Sequence, residues 1–353
     1  MSAISSQHST NATAPYLVHG KPLYRRVLPR PEVVLSLGLV LIVVLSTLFV
    51  PHYLRPNANY TFSTLLLNAT PILFLLLPET LIIATGDIDL SVSSVLGLSS
   101  AVFGLIYQAG TPIWLAAALA VVVGGGVGVI NGVLVTIVGL PSLAVTIGTL
   151  ALFRGIAVGI LGTTSVTNFP PPLTRFFSGS VPGTPIPWQI LFWFLPVMAF
   201  AVLLHFTPFG RGIFAIGRSS EMAAFSGVNV TRTRLILFIL SGLVSGLVGV
   251  FFTLQYSNAI GSNGNGVELQ VVTAIVLGGV SIWGGRGTLF GAIVGGLFIA
   301  SFSKSLQVLG VSDDAIYVIT GVALIISVVT ASISKHISSR RRGTASPLQA
   351  GGD

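Results

Sequence analysis

Charge is scarce in this chain, so every ionisable side chain embedded in an apolar run needs a reason to be there. Glu79 follows Leu75-Leu76-Leu77-Pro78 and precedes Thr80-Leu81-Ile82-Ile83, while Arg154 stands between Leu152-Phe153 and Gly155-Ile156. Charge held in hydrocarbon is costly, and residues that carry it line pathways, relay protons or form structural pairs. A structural pair, a snorkelling side chain and a place in a pathway each account for Glu79 and Arg154. Asp87 and Asp89 bracket Ile88, and Asp89 is placed to cap a helix beginning near Ser91. Asn68, Ser91, Asn131, Thr149 and Thr273, with Thr64, Ser94 and Thr146, scatter hydroxyl and amide groups through the apolar runs. Such groups bind an uncharged polar molecule weakly enough to release it. An anionic cargo would instead call for Arg or Lys facing the path, because a desolvated anion is expensive without a partner. The runs supply only Arg154 and Lys304, and Lys304 lies close enough to a boundary to snorkel. The pathway candidates are therefore Asn68, Glu79, Asp87, Asp89, Ser91, Asn131, Thr149, Arg154 and Thr273.

No set of residues points to catalysis. Gly279-Val280-Ser281-Ile282-Trp283-Gly284-Gly285-Arg286 has the glycine spacing of a phosphate loop but lacks the Lys-Ser/Thr end that reaches phosphates and magnesium. There is no HExxH helix, no G-x-S-x-G elbow and no cluster of His with carboxylates. The absence of cysteine removes disulfides, thiolate metal sites and thiol nucleophiles. The expectation is a non-enzymatic chain that binds no cofactor or metal and draws its energy from a partner or an ion gradient.

The elements that must carry these residues are set by hydropathy. With 7% of residues charged, 52% hydrophobic and a mean hydropathy of +0.93, most of the chain has lipid as its solvent. The apolar runs are continuous rather than alternating, which predicts helices and not a barrel. Runs long enough for a ~30 Å hydrocarbon core fall near 33–50, 62–85, 91–109, 112–138, 142–162, 188–206, 234–255, 269–284, 288–309 and 315–333. That makes an all-α membrane protein of about ten spans, with the third and eighth short enough to be broken or re-entrant. Five spans on each side of the loop 163–187 give two inverted halves. Gly124, Gly128 and Gly132, Gly242 with Gly246, and Gly291 with Gly295 recur every four residues, the spacing of close helix packing in lipid.

The Lys and Arg side chains orient the map. Thirteen of the seventeen fall on the arm 1–31, the loop 207–234, the turn at Arg286 and the tail 335–353, and only Arg55 and Arg175 fall opposite. By the positive-inside rule both termini and the 207–233 loop are cytoplasmic, around a transmembrane domain 32–334. The same rule explains the net charge of +8 without nucleic acid. No cleavable signal is legible before Lys21, and the Asn-x-Thr matches at Asn59 and Asn229 carry no weight. The loop 163–187, rich in Pro, Thr and Ser, reads as irregular and external.

Within the 207–233 loop, Ser219 or Ser220 is suited to cap a helix, Glu221 to its first turn and Gly227 to a left-handed stop. The result is about two turns of helix with Met222, Ala223 and Ala224 as small or flexible side chains, either a knob for a partner's groove or an ordinary surface turn.

The sequence resembles the permeases of ribose-type sugar importers, the branch of ATP-binding-cassette transporters that includes xylose, arabinose, galactose, rhamnose and autoinducer-2 carriers. The likeness covers nearly all of 62–333. It rests on Thr85-Gly86-Asp87-Ile88-Asp89-Leu90-Ser91-Val92, Asn131-Gly132, Gly148-Thr149 with Arg154-Gly155, Phe209-Gly210-Arg211 through Gly227, and Val276-Leu277-Gly278-Gly279 with Gly284-Gly285-Arg286-Gly287. Ser93, usually Gly, and Glu79, where a neutral residue is expected, depart from that pattern. The resemblance implies a permease subunit in the bacterial inner membrane and a coupling helix over Ser219, Ser220, Glu221, Met222, Ala223, Ala224 and Gly227. It further implies a partner ATPase that binds ATP and Mg, an extracytoplasmic sugar-binding protein, and a second permease copy or paralogue making a homo- or heterodimer. The rival is an ion-coupled carrier in which Glu79 or Asp87 binds the proton.

Overall fold

The computed structural model describes residues 31–50, 53 and 58–343. The arm bearing Lys21, Arg25, Arg26 and Arg30, the position of Arg55 and residues 344–353 lie outside them. The described residues form thirteen helices and, beyond two isolated bridges, no strand. These are α1 (Pro31–Phe49), α2 (Ala58–Thr85), α3 (Val92–Gln108), α4 (Ile113–Thr136), α5 (Ser142–Leu161), α6 (Pro171–Ser178) and α7 (Trp188–Phe206). They continue with α8 (Pro208–Arg218), α9 (Ser220–Phe225), α10 (Val230–Tyr256), α11 (Val267–Leu277), α12 (Leu289–Val308) and α13 (Asp313–Gly343).

Eight of these are long and apolar enough to cross a membrane, namely α1, α2, α4, α5, α7, α10, α12 and α13. The other two expected spans, the third and the eighth, are the shorter apolar helices α3 and α11. At 1.5 Å per residue, α3 reaches about 25 Å and α11 about 17 Å, both less than the ~30 Å core. Irregular backbone must supply the remaining depth, which is tolerated in a membrane only where protein covers it. The covering core is α2, buried without interruption from Ala69 to Thr85. Its internal Pro71 and Pro78 each remove one backbone donor, and Trp193 of α7 donates to the Leu73 carbonyl between them at 2.8 Å.

The glycine spacing is used inside the chain. Gly124 and Gly128 of α4 face Gly242 and Gly246 of α10, and a Cβ at Gly242 would stand 2.8 Å from the Gly128 nitrogen. Only hydrogen allows that approach. Gly291 and Gly295 of α12 likewise back onto the carbonyls of Gly278 and Ala274.

Three expectations are corrected. The eighth span ends at Leu277 rather than 284, because Gly279, Gly284 and Gly285 at φ +87°, +79° and +73° turn the chain back on itself. The loop 163–187 is not wholly irregular: Pro171 opens α6, whose Phe176 stacks on Trp188 and whose Phe177 packs against Phe251 of α10. The loop after α7 carries a further helix, α8, with Thr207 accepting from Gly210 N as its cap and Pro208 in its first turn.

Loops group at two ends of the bundle. At one, Gly285 N donates to Ala84 O, which joins the 278–288 loop to the end of α2, and Gly217 of α8 packs against the same two residues. At the other, Val166 and Ala259 pair across the loops after α5 and α10. The chain enters α3 from the first end and α11 from the second.

Candidate functional site

Between α2 and α3 the chain folds back into the bundle and brings four of the expected residues together. Ser241 Oγ on α10 lies 2.9 Å from Glu79 Oε1 and 3.0 Å from Asp89 Oδ2. A hydroxyl has one hydrogen, so both contacts are satisfied together only when one carboxyl holds a proton and donates to Oγ. Asp89 Oδ1 accepts from Ser91 N at 2.9 Å and from Ser91 Oγ at 2.6 Å, and Asn131 Nδ2 of α4 donates to Ser91 Oγ at 2.8 Å. Glu79, Asp89, Ser91 and Asn131 are all at most 2% exposed, so this node fastens α2, α3, α4 and α10 and is closed to cargo in this conformation. Asp89 does not cap α3 as expected: Ser91 occupies the N-cap, and Asp89, two residues upstream, accepts from the N-cap residue's own N–H and hydroxyl and from none of the first N–H groups of the helix.

Asp87 faces the other way, into a cavity of about 480 Å³ lined by Thr136, Ser142, Val230 and Arg234. Its Oδ2 accepts from Thr85 Oγ1 at 3.0 Å and stands 2.9 Å from Arg234 Nε. Arg234 Nη2 in turn donates to Ser220 Oγ at 3.2 Å, so a polar chain runs from α9 to the loop ahead of α3. α5 holds the same loop through Ser142 Oγ, which accepts from Ile88 N, and Thr146 Oγ1, which donates to Ile88 O.

The α9 segment has the local architecture its sequence expects. Ser219 Oγ accepts from Met222 N at 3.2 Å, Glu221 lies in the first turn, and Gly227 takes φ +84°. Ala223 is buried beneath the helix, Ala224 is exposed, and Met222 and Phe225 are 63% and 94% exposed. Met222 and Phe225 thus form an exposed apolar pair on a capped, glycine-stopped turn.

Arg154 stands apart from the Asp89 node. Its Nη1 donates to Gly261 O at 2.7 Å and Asn263 O at 2.9 Å, and its Nη2 to Ser93 O at 2.9 Å. Gly97 makes the room, since a Cβ there would lie 2.8 Å from Gly261 O. The guanidinium thus satisfies irregular backbone that reaches the first turns of α3, the structural option left open by the sequence. Asn68, Thr149 and Thr273 are not brought together: Asn68 accepts from Tyr256 Oη, and the two threonines donate to carbonyls of their own helices. The sequon at Asn229 is a helix cap, with Oδ1 accepting from Arg232 N at 2.9 Å.

Residues 61–328 match the family described as "Branched-chain amino acid transport system / permease component". This chain belongs to that family. An autoinducer 2 import system permease protein LsrD of Yersinia pseudotuberculosis serotype I (strain IP32953) is 34% identical over 266 residues, 74% of this chain and 79% of the relative. The protein of the same name from Yersinia enterocolitica serotype O:8 / biotype 1B is 35% identical over 266 residues, 74% of this chain and 80% of the relative. No solved structure matches. The ion-coupled carrier finds no support in these relatives.

In this permease the residues missed by sequence reasoning are Ser241, Arg234 and Phe225. Ser241 had no signal, being one of several serines in a glycine-rich span. Arg234 was legible only as a charge favouring one side of the membrane, and Phe225 as an apolar residue in a loop expected to be exposed.

Proposed function

We propose that this permease is the conducting subunit of a binding-protein-dependent, ATP-driven importer carrying a small neutral polar molecule, a monosaccharide or an autoinducer-2-like compound, across a bacterial inner membrane. The observation that carries this reading is α9, a six-residue helix too short to enter the membrane, which presents Met222 and Phe225 outward and is tied through Ser220, Arg234 and Asp87 to the loop ahead of α3. An ATPase that binds ATP and Mg would dock there, and a movement of α9 would pull on that loop. The relatives supply the cargo class by their names. Arg154 supports a neutral cargo over an amino acid, because three of its five N–H donors are already given to backbone carbonyls, which ties the guanidinium to the protein instead of offering its full fork to a carboxylate. An extracytoplasmic binding protein would deliver cargo at the end carrying the loops 163–187 and 257–266, and a second permease copy or paralogue would complete the translocating unit in the lipid bilayer.

Competition during uptake tests the cargo. Cells supplying the permease with its ATPase and binding protein are expected to lose labelled uptake when neutral monosaccharides are added. The phosphorylated sugars and branched-chain amino acids should leave it unchanged. Preferential uptake of a phosphorylated sugar or an amino acid would replace this reading.

The bias in Lys and Arg supports a cytoplasmic location for both termini and α9. Single cysteines at 175 and 262, in a chain that has none, are expected to react with an impermeant thiol reagent in intact cells, whereas those at 220 and 341 react only after permeabilisation. Labelling of 220 from outside would invert the map.

A further inference from the structure

Three arginines meet at one cavity that the coupling apparatus does not use. Arg211, Phe214, Ala215 and Arg218 recur at i, i+3, i+4 and i+7 along one face of α8 and form one wall of a space of about 520 Å³, with Gly285, Arg286 and Gly287 across it. Both walls are closely packed. Ile213 and Ile216 are buried on the opposite face of α8, and Gly285 at φ +73° comes so close that a Cβ would stand 2.8 Å from Arg218 Cγ.

All three arginines are exposed, and among the described residues the sole ion pair is Arg234 with Asp87. Of the other carboxylates at this end, Glu32 accepts from Thr288 Oγ1 at 3.0 Å and Glu221 belongs to α9. Among the described residues, positive charge therefore gathers here without being neutralised. Its depth is equally specific: α8 begins two residues after α7 ends, and α12 begins two residues after Gly287, so the cavity lies where the apolar spans stop. Phe206, Trp283 and Phe290, on the segments that flank it, are 78%, 42% and 63% exposed, as aromatic side chains at a membrane interface are.

We infer that this cavity binds a phosphate group, presented by an anionic phospholipid headgroup or by a free phosphate compound. Planar guanidinium forks match phosphate oxygens in geometry and charge, and basic pockets between helices at the cytoplasmic boundary suit headgroups. Binding at this place is independent of what the permease carries, so a failed cargo assignment leaves it standing.

The purified, delipidated full chain in non-ionic detergent is titrated with dioctanoyl phosphatidylglycerol, dioctanoyl phosphatidylcholine and inorganic phosphate, with bound ligand counted by native mass spectrometry. Arg218 is left intact to spare the adjoining cap of α9. Arg211→Gln with Arg286→Gln is expected to weaken phosphatidylglycerol binding at least about tenfold, since two charge-assisted contacts are lost. Lysines at both positions should restore part of it, and Arg175→Gln at the opposite end should change nothing. Displacement of phosphatidylglycerol by inorganic phosphate would identify a free phosphate compound as a sufficient ligand; binding that resists it would identify the headgroup. Equal phosphatidylglycerol binding by wild type and the glutamine double variant overturns the inference. So does a double variant that loses the ATPase subunit while keeping the lipid, for then the arginines contact protein.

Discussion

Arg154→Leu is expected to remove most of the folded permease from detergent extracts, while Arg154→Lys recovers part of it. The guanidinium supplies hydrogen bonds to Ser93 O, Gly261 O and Asn263 O, all on buried residues. Each carbonyl stranded in a buried site costs about 1 to 3 kcal/mol, and although Ser93 O keeps the hydrogen bond of its own helix, losing the partner of Gly261 O and Asn263 O together takes a large share of the stability of an ordinary domain, about 5 to 15 kcal/mol. Lysine keeps the charge but places it as a single point at the end of a flexible stem, and cannot fork between α3 and the 257–266 loop. Thermal denaturation followed by size-exclusion chromatography should rank wild type above lysine and lysine above leucine. A cysteine at 262 should label faster in the leucine variant, because its loop has lost its anchor. A leucine variant with wild-type thermal stability but no uptake would instead place Arg154 on the cargo's route.

The second large effect concerns α9. Met222→Asp with Phe225→Asp is expected to lower uptake by more than about thirtyfold, the scale of losing an interface hot spot worth 2 kcal/mol or more, and to release the ATPase subunit from the purified complex. Both side chains are exposed, so insertion and thermal stability of the permease alone should stay at wild-type values. Gly227→Val should act in the same direction but less strongly, since φ +84° costs a residue with a Cβ about 1 to 2 kcal/mol. Arg234→Ala separates docking from transmission: the ATPase should remain bound while uptake falls, because the link from Ser220 to Asp87 is cut behind an intact surface. Wild-type uptake in the double aspartate variant would remove this segment from the mechanism.

These two sites differ in how far they could be read in advance. The α9 helix depends on neighbours within a few residues: a serine that accepts from the N–H three positions on, an acid in the first turn, a glycine where the backbone turns left-handed. All of that is local chemistry, and the sequence carries it openly. The early stop of α11 was also written locally, in Gly278-Gly279, but continued apolar residues to Ile282-Trp283 hid it from a reading based on hydropathy. The Asp89 node has no such local statement. Ser241 is separated from Glu79 and Asp89 by 162 and 152 residues, and Arg154 from Gly261 and Asn263 by 107 and 109.

By itself the sequence determined the apolar solvent, the helical class, the shortness of the third and eighth apolar segments, and the capped helix between α8 and α10. Each follows from composition or from spacing within one element, where hydropathy and backbone satisfaction act over a few residues. Tertiary structure decided which polar groups are joined. It set Glu79 and Asp89 on one hydroxyl, gave Asp87 to Arg234, turned Arg154 onto backbone carbonyls and left Thr149 and Thr273 on their own helices. In a membrane that choice is made by packing, because a buried donor or acceptor must find its partner on whichever helix the glycine surfaces bring within reach, and helical periodicity within one span does not say which helix that is.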